Sequence, residues 1–261
     1  MVVKAFNPLP NPLRARLSWR TMFPYDPALL AALQIVPQTV PDVVQILEAI
    51  QAACADGDGL KWFNGLYLQV TQAVRERVNS AGFSNPAWIA ALDVEFAGFY
   101  FAAIASSLAD RPTPGCWQAV FDQRSQPAIA RIQFALAGMN AHINHDLPQA
   151  VVATCRNTGI SPQHDDTHYN DFTALNSTLD SLIEAAKVEL NVRLLGDALP
   201  PMSKLEDTLA AWSMCAARES AWNNAELLAH LAAAPEISAT FIDMLDGLTT
   251  VAGKALLVPV V

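Results

Sequence analysis

No stretch of five or more residues alternates apolar and polar side chains as a half-buried strand would, and there is no internal repeat and no low-complexity tract. Basic residues are scarce as well. Sixteen Lys and Arg stand against 25 Asp and Glu, a formal net charge of −9, where nucleic acid and anionic membrane surfaces both reward clustered positive charge. The four cysteines, Cys54, Cys116, Cys155 and Cys215, form no C-x-x-C pair and read as free, mostly buried thiols of a reducing compartment. The most apolar run, Phe96 to Leu108, falls short of the roughly 20 residues a bilayer span needs. Prolines interrupt the N-terminus too early for a signal peptide. Metalloprotease, nucleophile-elbow, P-loop and dinucleotide motifs are missing, as is the paired Glu-x-x-His of di-iron bundles. These absences point to a cytoplasmic protein whose partner is a small molecule, or a second copy of the chain as a homo-oligomer, with no nucleic acid, no membrane and no organic cofactor.

What is present is helical periodicity between Pro, Gly and capping residues. Hydrophobic residues make up 52% of the 261, ample for one sizeable core, and no linker is long or polar enough to divide the chain. The patterning predicts a single all-α domain over 1–261, a bundle of about seven or eight helices with residues 1–26 as an extended Pro-rich N-terminal arm. Helices are expected over 41–55, 60–81, 86–109 behind the Asn85-Pro86 cap, 117–124, from Pro127 onward, 165–195, from the Ser203/Glu206 capping box to about 231, and 235–257.

Residues 138–148, Gly-Met-Asn-Ala-His-Ile-Asn-His-Asp-Leu-Pro, interrupt this pattern with chemistry. Asn140, His142, Asn144, His145 and Asp146 lie within an otherwise apolar helical stretch, where polar groups cost several kcal/mol unless paired or bound. His142 and Asp146 are one turn apart on one face, and Asn140 and Asn144 form a second i,i+4 pair on the far side. Proline at 148 disfavours helical geometry at Leu147, so a kink or break is expected there, freeing carbonyls beside Asp146. His142 with Asp146 can be a general base and its orienting carboxylate, two ligands of a divalent metal, or a structural hydrogen bond.

The run Gly-Met-Asn-Ala-His-Ile-Asn-x-Asp-Leu-Pro, with the later Asp171-Phe172 and Asn176, resembles the signature of a bacterial family, common in actinobacteria, catalogued only as a domain of unknown function. The resemblance covers most of the chain and implies a helical fold without naming an activity. In that pattern the position of His145 is often aromatic, which moves weight to Asn140, His142, Asn144 and Asp146.

A second polar segment holds His164, Asp165, Asp166, His168 and Asp171; if its helix folds back on its predecessor, His164 and His168 could join His142 and Asp146 around a metal. Acidic residues at a helix start also oppose the macrodipole and need no other purpose. Asp93 stands in an apolar helix, with Arg218 as the natural ion-pair partner and Arg131 as a second. Asn64, Tyr67 and Thr71 share one helical face and could line a pocket. The expected function is acid–base lyase, cyclase or isomerase chemistry on a small, largely apolar molecule, with His142 and Asp146 catalytic and Asn140, Asn144, Asn64, Tyr67, Asp93 and Arg218 binding substrate. The alternatives are a metal-dependent hydrolase drawing on the 164–171 segment and a non-catalytic protein that binds a hydrophobic ligand.

Overall fold

The computed structural model describes residues 23–80, 82–182, 184–185 and 213–259. Among these there is no strand, and the chain is an all-α bundle, as the patterning predicted. The helices are α1 (Asp26–Ala32), α2 (Val40–Ala53), α3 (Gly59–Asn79), α4 (Pro86–Leu108), α5 (Gly115–Gln123), α6 (Arg131–Ala141), a π turn (His142–Asp146), α7 (Leu147–Thr158), α8 (Thr167–Ala174), α9 (Met214–His230) and α10 (Pro235–Leu256). Residues 176–182 are helical too.

The starts obey local chemistry. Thr39 and Asp42 form a reciprocal capping box on α2, Asp58 caps α3 through Leu60 N, and Asn85 caps α4 through Trp88 N. Gly159, at φ 71°, closes α7 in the left-handed conformation that glycine adopts without strain. Three expectations change. Residues 26–32, for which no helix was expected, form α1, which takes only Asp26 from the arm expected over 1–26; residues 1–22 of that arm lie outside the described residues, as does the Ser203/Glu206 capping box. The helix expected from 165 breaks at Leu175. The apolar run at Phe96 belongs to a 23-residue helix, α4, which by length and composition alone could cross a membrane. Within the bundle α4 packs on α2, α3 and α7 and carries the buried Asp93.

The core is aromatic at its centre, with Phe63, Trp88, Tyr100, Trp117 and Trp222 essentially sealed. Glycine makes the tightest approach possible: a Cβ at Gly138 would stand 2.3 Å from the Phe63 ring, so α6 lies directly against that ring. Asp58 ties three elements, accepting from Tyr25 Oη at 2.9 Å, Leu60 N at 3.0 Å and the Arg124 guanidinium, whose Nε lies at 2.9 Å. Asp171 accepts from Ser84 N at 2.8 Å and Asn85 N at 2.6 Å, which docks α8 against the start of α4.

Candidate functional site

The polar cluster does not break the helix. Leu147 keeps right-handed helical geometry, φ −60° and ψ −42°, and its N–H donates to the carbonyl of His142, one residue further back than in an α-helix. Pro148 has no N–H, and its ring needs room from the preceding turn. The wider π turn supplies that room in place of the expected kink, and such turns concentrate at functional sites.

The π turn presents His142, His145 and Asp146, at i, i+3 and i+4, to one another. Asp146, 1% exposed, accepts His142 Nδ1 at 2.9 Å and Trp117 Nε1 at 2.8 Å on Oδ2, and His145 Nδ1 at 2.7 Å on Oδ1. Burial acts to raise this carboxyl, and the bonds and charges of the two imidazoles outweigh it and hold it below the usual carboxylate range. With Nδ1 donating to Asp146, neutral His142 presents a bare lone pair at Nε2.

That Nε2 is buried without a hydrogen-bond partner. The imidazole lies in a cage of rings: Phe96 stacks on it at 3.5 Å between centroids, Tyr67 meets it edge-on at 4.6 Å, and Phe63, Trp117 and Tyr100 complete the walls. Burial pushes the His142 pKa below its ordinary value despite the carboxylate.

Three more buried oxygens without partners surround Tyr67: its own hydroxyl, Thr71 Oγ1 and Asp93 Oδ2. Thr71 approaches the Tyr67 hydroxyl without closing a hydrogen bond. Burial lifts the Asp93 carboxyl to about 7, and burial together with the Asp93 charge pushes the Tyr67 hydroxyl up. Folded proteins leave few buried polar atoms unpaired, so four around one aromatic cage mark a place where something else belongs.

Other residues expected at the site are engaged elsewhere. Asn140 Nδ2 donates to the Thr249 carbonyl at 2.8 Å and its Oδ1 accepts from Asn144, a brace between the π turn and α10 on the side away from His142. Asn64 is held by the Leu47 carbonyl, Gln51 and Tyr100. Arg218 does not meet Asp93. It donates to Asn176 Oδ1 and the Phe172 carbonyl, both at 2.7 Å, and lies 3.9 Å over the Phe172 ring, because α9 turns that face toward α8. Arg131 lies over Trp62. His164 bonds Glu219 and Glu226 of α9, while His168 lies beside Asp166, Asn85 and Trp88 near the start of α4. Neither makes a described hydrogen bond or ring contact with His142 or Asp146. Among the described residues the one group of three potential metal ligands is Cys116, His145 and Asp246.

The sequence assigns Phe96 and Asp246 no site role and marks Trp117 only as one of several tryptophans able to line a core or a cavity. Trp117 carried one legible signal, since a buried indole N–H needs an acceptor. Asp246 had none, lying on an amphipathic helix among other acids. Near the site, an open, mostly apolar groove of about 430 Å³ runs between α4, α7 and α10, lined in part by Phe99, Gln149, Arg156 and Ile242.

These features define a class: an all-helical bundle with a histidine–carboxylate cluster on a π turn, caged by aromatic rings. The chain belongs to a family described as a family of unknown function (DUF5995), whose model matches residues 40–259. No curated protein and no solved structure matches it.

Proposed function

We propose that this protein is an enzyme that moves protons on a small, largely apolar molecule, in the lyase, cyclase or isomerase class and without an organic cofactor. The observation that carries the reading is His142 Nε2, a buried, partnerless lone pair on an imidazole whose other nitrogen is locked to Asp146. A base so held has one tautomer and one direction, and Asp146 stabilises the imidazolium once the proton is taken. Asp93, lifted to about 7, keeps a substantial protonated fraction at neutral pH and serves as the acid. The Tyr67 and Thr71 hydroxyls supply hydrogen bonds to a polar substituent. The aromatic cage provides apolar surface and excludes water. Half-buried Phe96, stacked on His142, is the side chain that moves to admit substrate.

Asn64, Asn140, Asn144 and Arg218 have no part in this reading, since each makes hydrogen bonds to groups outside the His142 cage or its base. The hydrolase alternative loses its added ligands, because His164 and His168 serve other contacts. A second reading, a non-catalytic binder of a hydrophobic ligand, draws support from the 430 Å³ groove. In either case we place the protein in the cytoplasm.

Incubating the purified chain with a metabolite extract, read by mass spectrometry, tests the proposal. A compound consumed by the wild type and spared by His142→Gln and Asp93→Asn is the expected result. Retention of a compound without conversion favours the binder. No change dependent on the wild type, or full turnover by His142→Gln, overturns the catalytic assignment.

A further inference from the structure

We propose that Cys116, His145 and Asp246 hold a divalent transition metal, zinc by their donor set, at a site next to the His142 cage. The three residues come from α5, the π turn and α10, and one ligand atom of each lies within 4.8 Å of the others. A tetrahedral zinc with bonds of 2.0–2.3 Å separates its donors by roughly 3.3–3.8 Å, so closing the site shortens donor separations by at most about 1.5 Å. Thiolate and carboxylate together neutralise the ion, and the neutral imidazole adds the third bond. On binding, the Cys116 thiol releases its proton to solvent and its sulfur pair forms the new bond.

Three features argue that the cluster is built for this. First, His145 Nδ1 is bonded to Asp146 at 2.7 Å, which leaves Nε2 as the ligating nitrogen. A carboxylate behind a histidine is the usual way proteins fix the tautomer and aim of a metal ligand. Second, Asp246 is held in place by Gly115 N at 2.7 Å and Cys116 N at 2.9 Å, and each oxygen keeps a lone pair beyond these bonds. The fit depends on glycine: a Cβ at Gly115 would meet Thr250 Oγ1 at 2.7 Å and Asp246 Oδ2 at 3.1 Å. Third, Thr250 Oγ1, one turn along α10 from Asp246 and against the same glycine, is buried with no hydrogen-bond partner. It offers a fourth oxygen directly or through water.

The arrangement has an entrance. Gln149 lines the open groove, and its Nε2 donates to His145 Nε2 at 3.3 Å, a bond that the metal would replace. Cys116 is fully buried and His145 is 5% exposed, whereas Asp246 is half-buried, so the site can be reached past Asp246 as well as from the groove beside Gln149. This site does not depend on the acid–base reading of His142, and either stands if the other fails.

The test uses the full chain without a histidine tag, stripped with chelator and titrated with cobalt(II). One equivalent bound, with a thiolate-to-cobalt charge-transfer band, is expected. Cys116→Ser should abolish that band, and Asp246→Asn, which keeps an acceptor for one of the two α5 amides, should weaken binding at least tenfold. X-ray absorption of the zinc-loaded wild type needs no variant and should show one sulfur with nitrogen and oxygen neighbours. Absence of binding at equimolar metal, a shell of oxygen and nitrogen alone, or a band unchanged in Cys116→Ser would each overturn the assignment.

Discussion

Trp117 Nε1 stands 2.8 Å from Asp146 Oδ2, and this bond from α5 anchors the carboxylate that both His142 and His145 share. Without it a buried carboxylate oxygen would depend on one imidazole alone. Trp117→Phe keeps the ring and deletes the donor. It should cost about 1–3 kcal/mol in denaturant unfolding, the penalty for a buried acceptor losing a partner. A change below about 0.5 kcal/mol, the size of an ordinary surface substitution, would show that Asp146 does not need the indole.

Asp93 should make stability pH-dependent in an unusual direction. Its carboxyl sits at about 7 when folded, against an ordinary 3.8, because burial disfavours the charge. Between those values the folded protein holds a proton that the unfolded chain has released. Stability from this group therefore falls as pH rises through the window, by up to about 4 kcal/mol in all. Asp93→Asn removes the effect. Its melting temperature should gain on the wild type from about pH 4 to about pH 7 and hold a constant advantage above that. Parallel melting curves at every pH would mean that the group titrates normally.

Arg124 bridges the buried carboxylates Asp26 and Asp58, at 3.3 Å from the first, and stacks over Phe23. Its removal leaves two acids facing one another in the interior. Arg124→Met should cost about 3–5 kcal/mol, measured as the shift in unfolding free energy. Adding Asp58→Asn should recover part of that loss, since the uncompensated charge is the main penalty.

His164 lies between Glu219 and Glu226 at 3.0 and 2.7 Å, and its hydrogen bond to Glu219 is the largest influence raising its pKa. A histidine raised on folding stabilises fully below its unfolded value and loses that contribution as pH rises through the folded one. Glu219 is correspondingly lowered, chiefly by its bond to His164, so its share appears above the ordinary glutamate value of 4.5. His164→Gln should therefore lower the melting temperature more at pH 5.5 than at pH 8.5. An equal loss at both values would assign His164 to packing alone.

The residues of the signature-like motifs divide between site and scaffold. Asp171, Phe172 and Asn176, which resembled a family signature, hold α4 and Arg218 in place. Asn140 and Asn144 brace α10. His142 and Asp146 alone of that first cluster, with Tyr67 and Asp93 from distant helices, surround the partnerless atoms. Periodicity placed each of these on a helix. It said nothing of which helices would meet.

Helix starts, the all-α class and the pairing of His142 with Asp146 were written in local order, because caps and i,i+4 spacing act within one or two turns. Asn85-Pro86 and Thr39/Asp42 are legible for that reason. The π turn is half local: proline at 148 announces a disturbance, but the packing around the chain decides whether it becomes a break or a widened turn. The union of Trp117 with Asp146, the separation of Asp93 from Arg218, and the meeting of Cys116, His145 and Asp246 belong to tertiary structure alone. Those contacts span 29 residues or more, or about 100 between His145 and Asp246. Only the way helix faces fill a shared core determines them, and that depends on volumes and close approaches such as Phe63 on Gly138, which no single segment encodes.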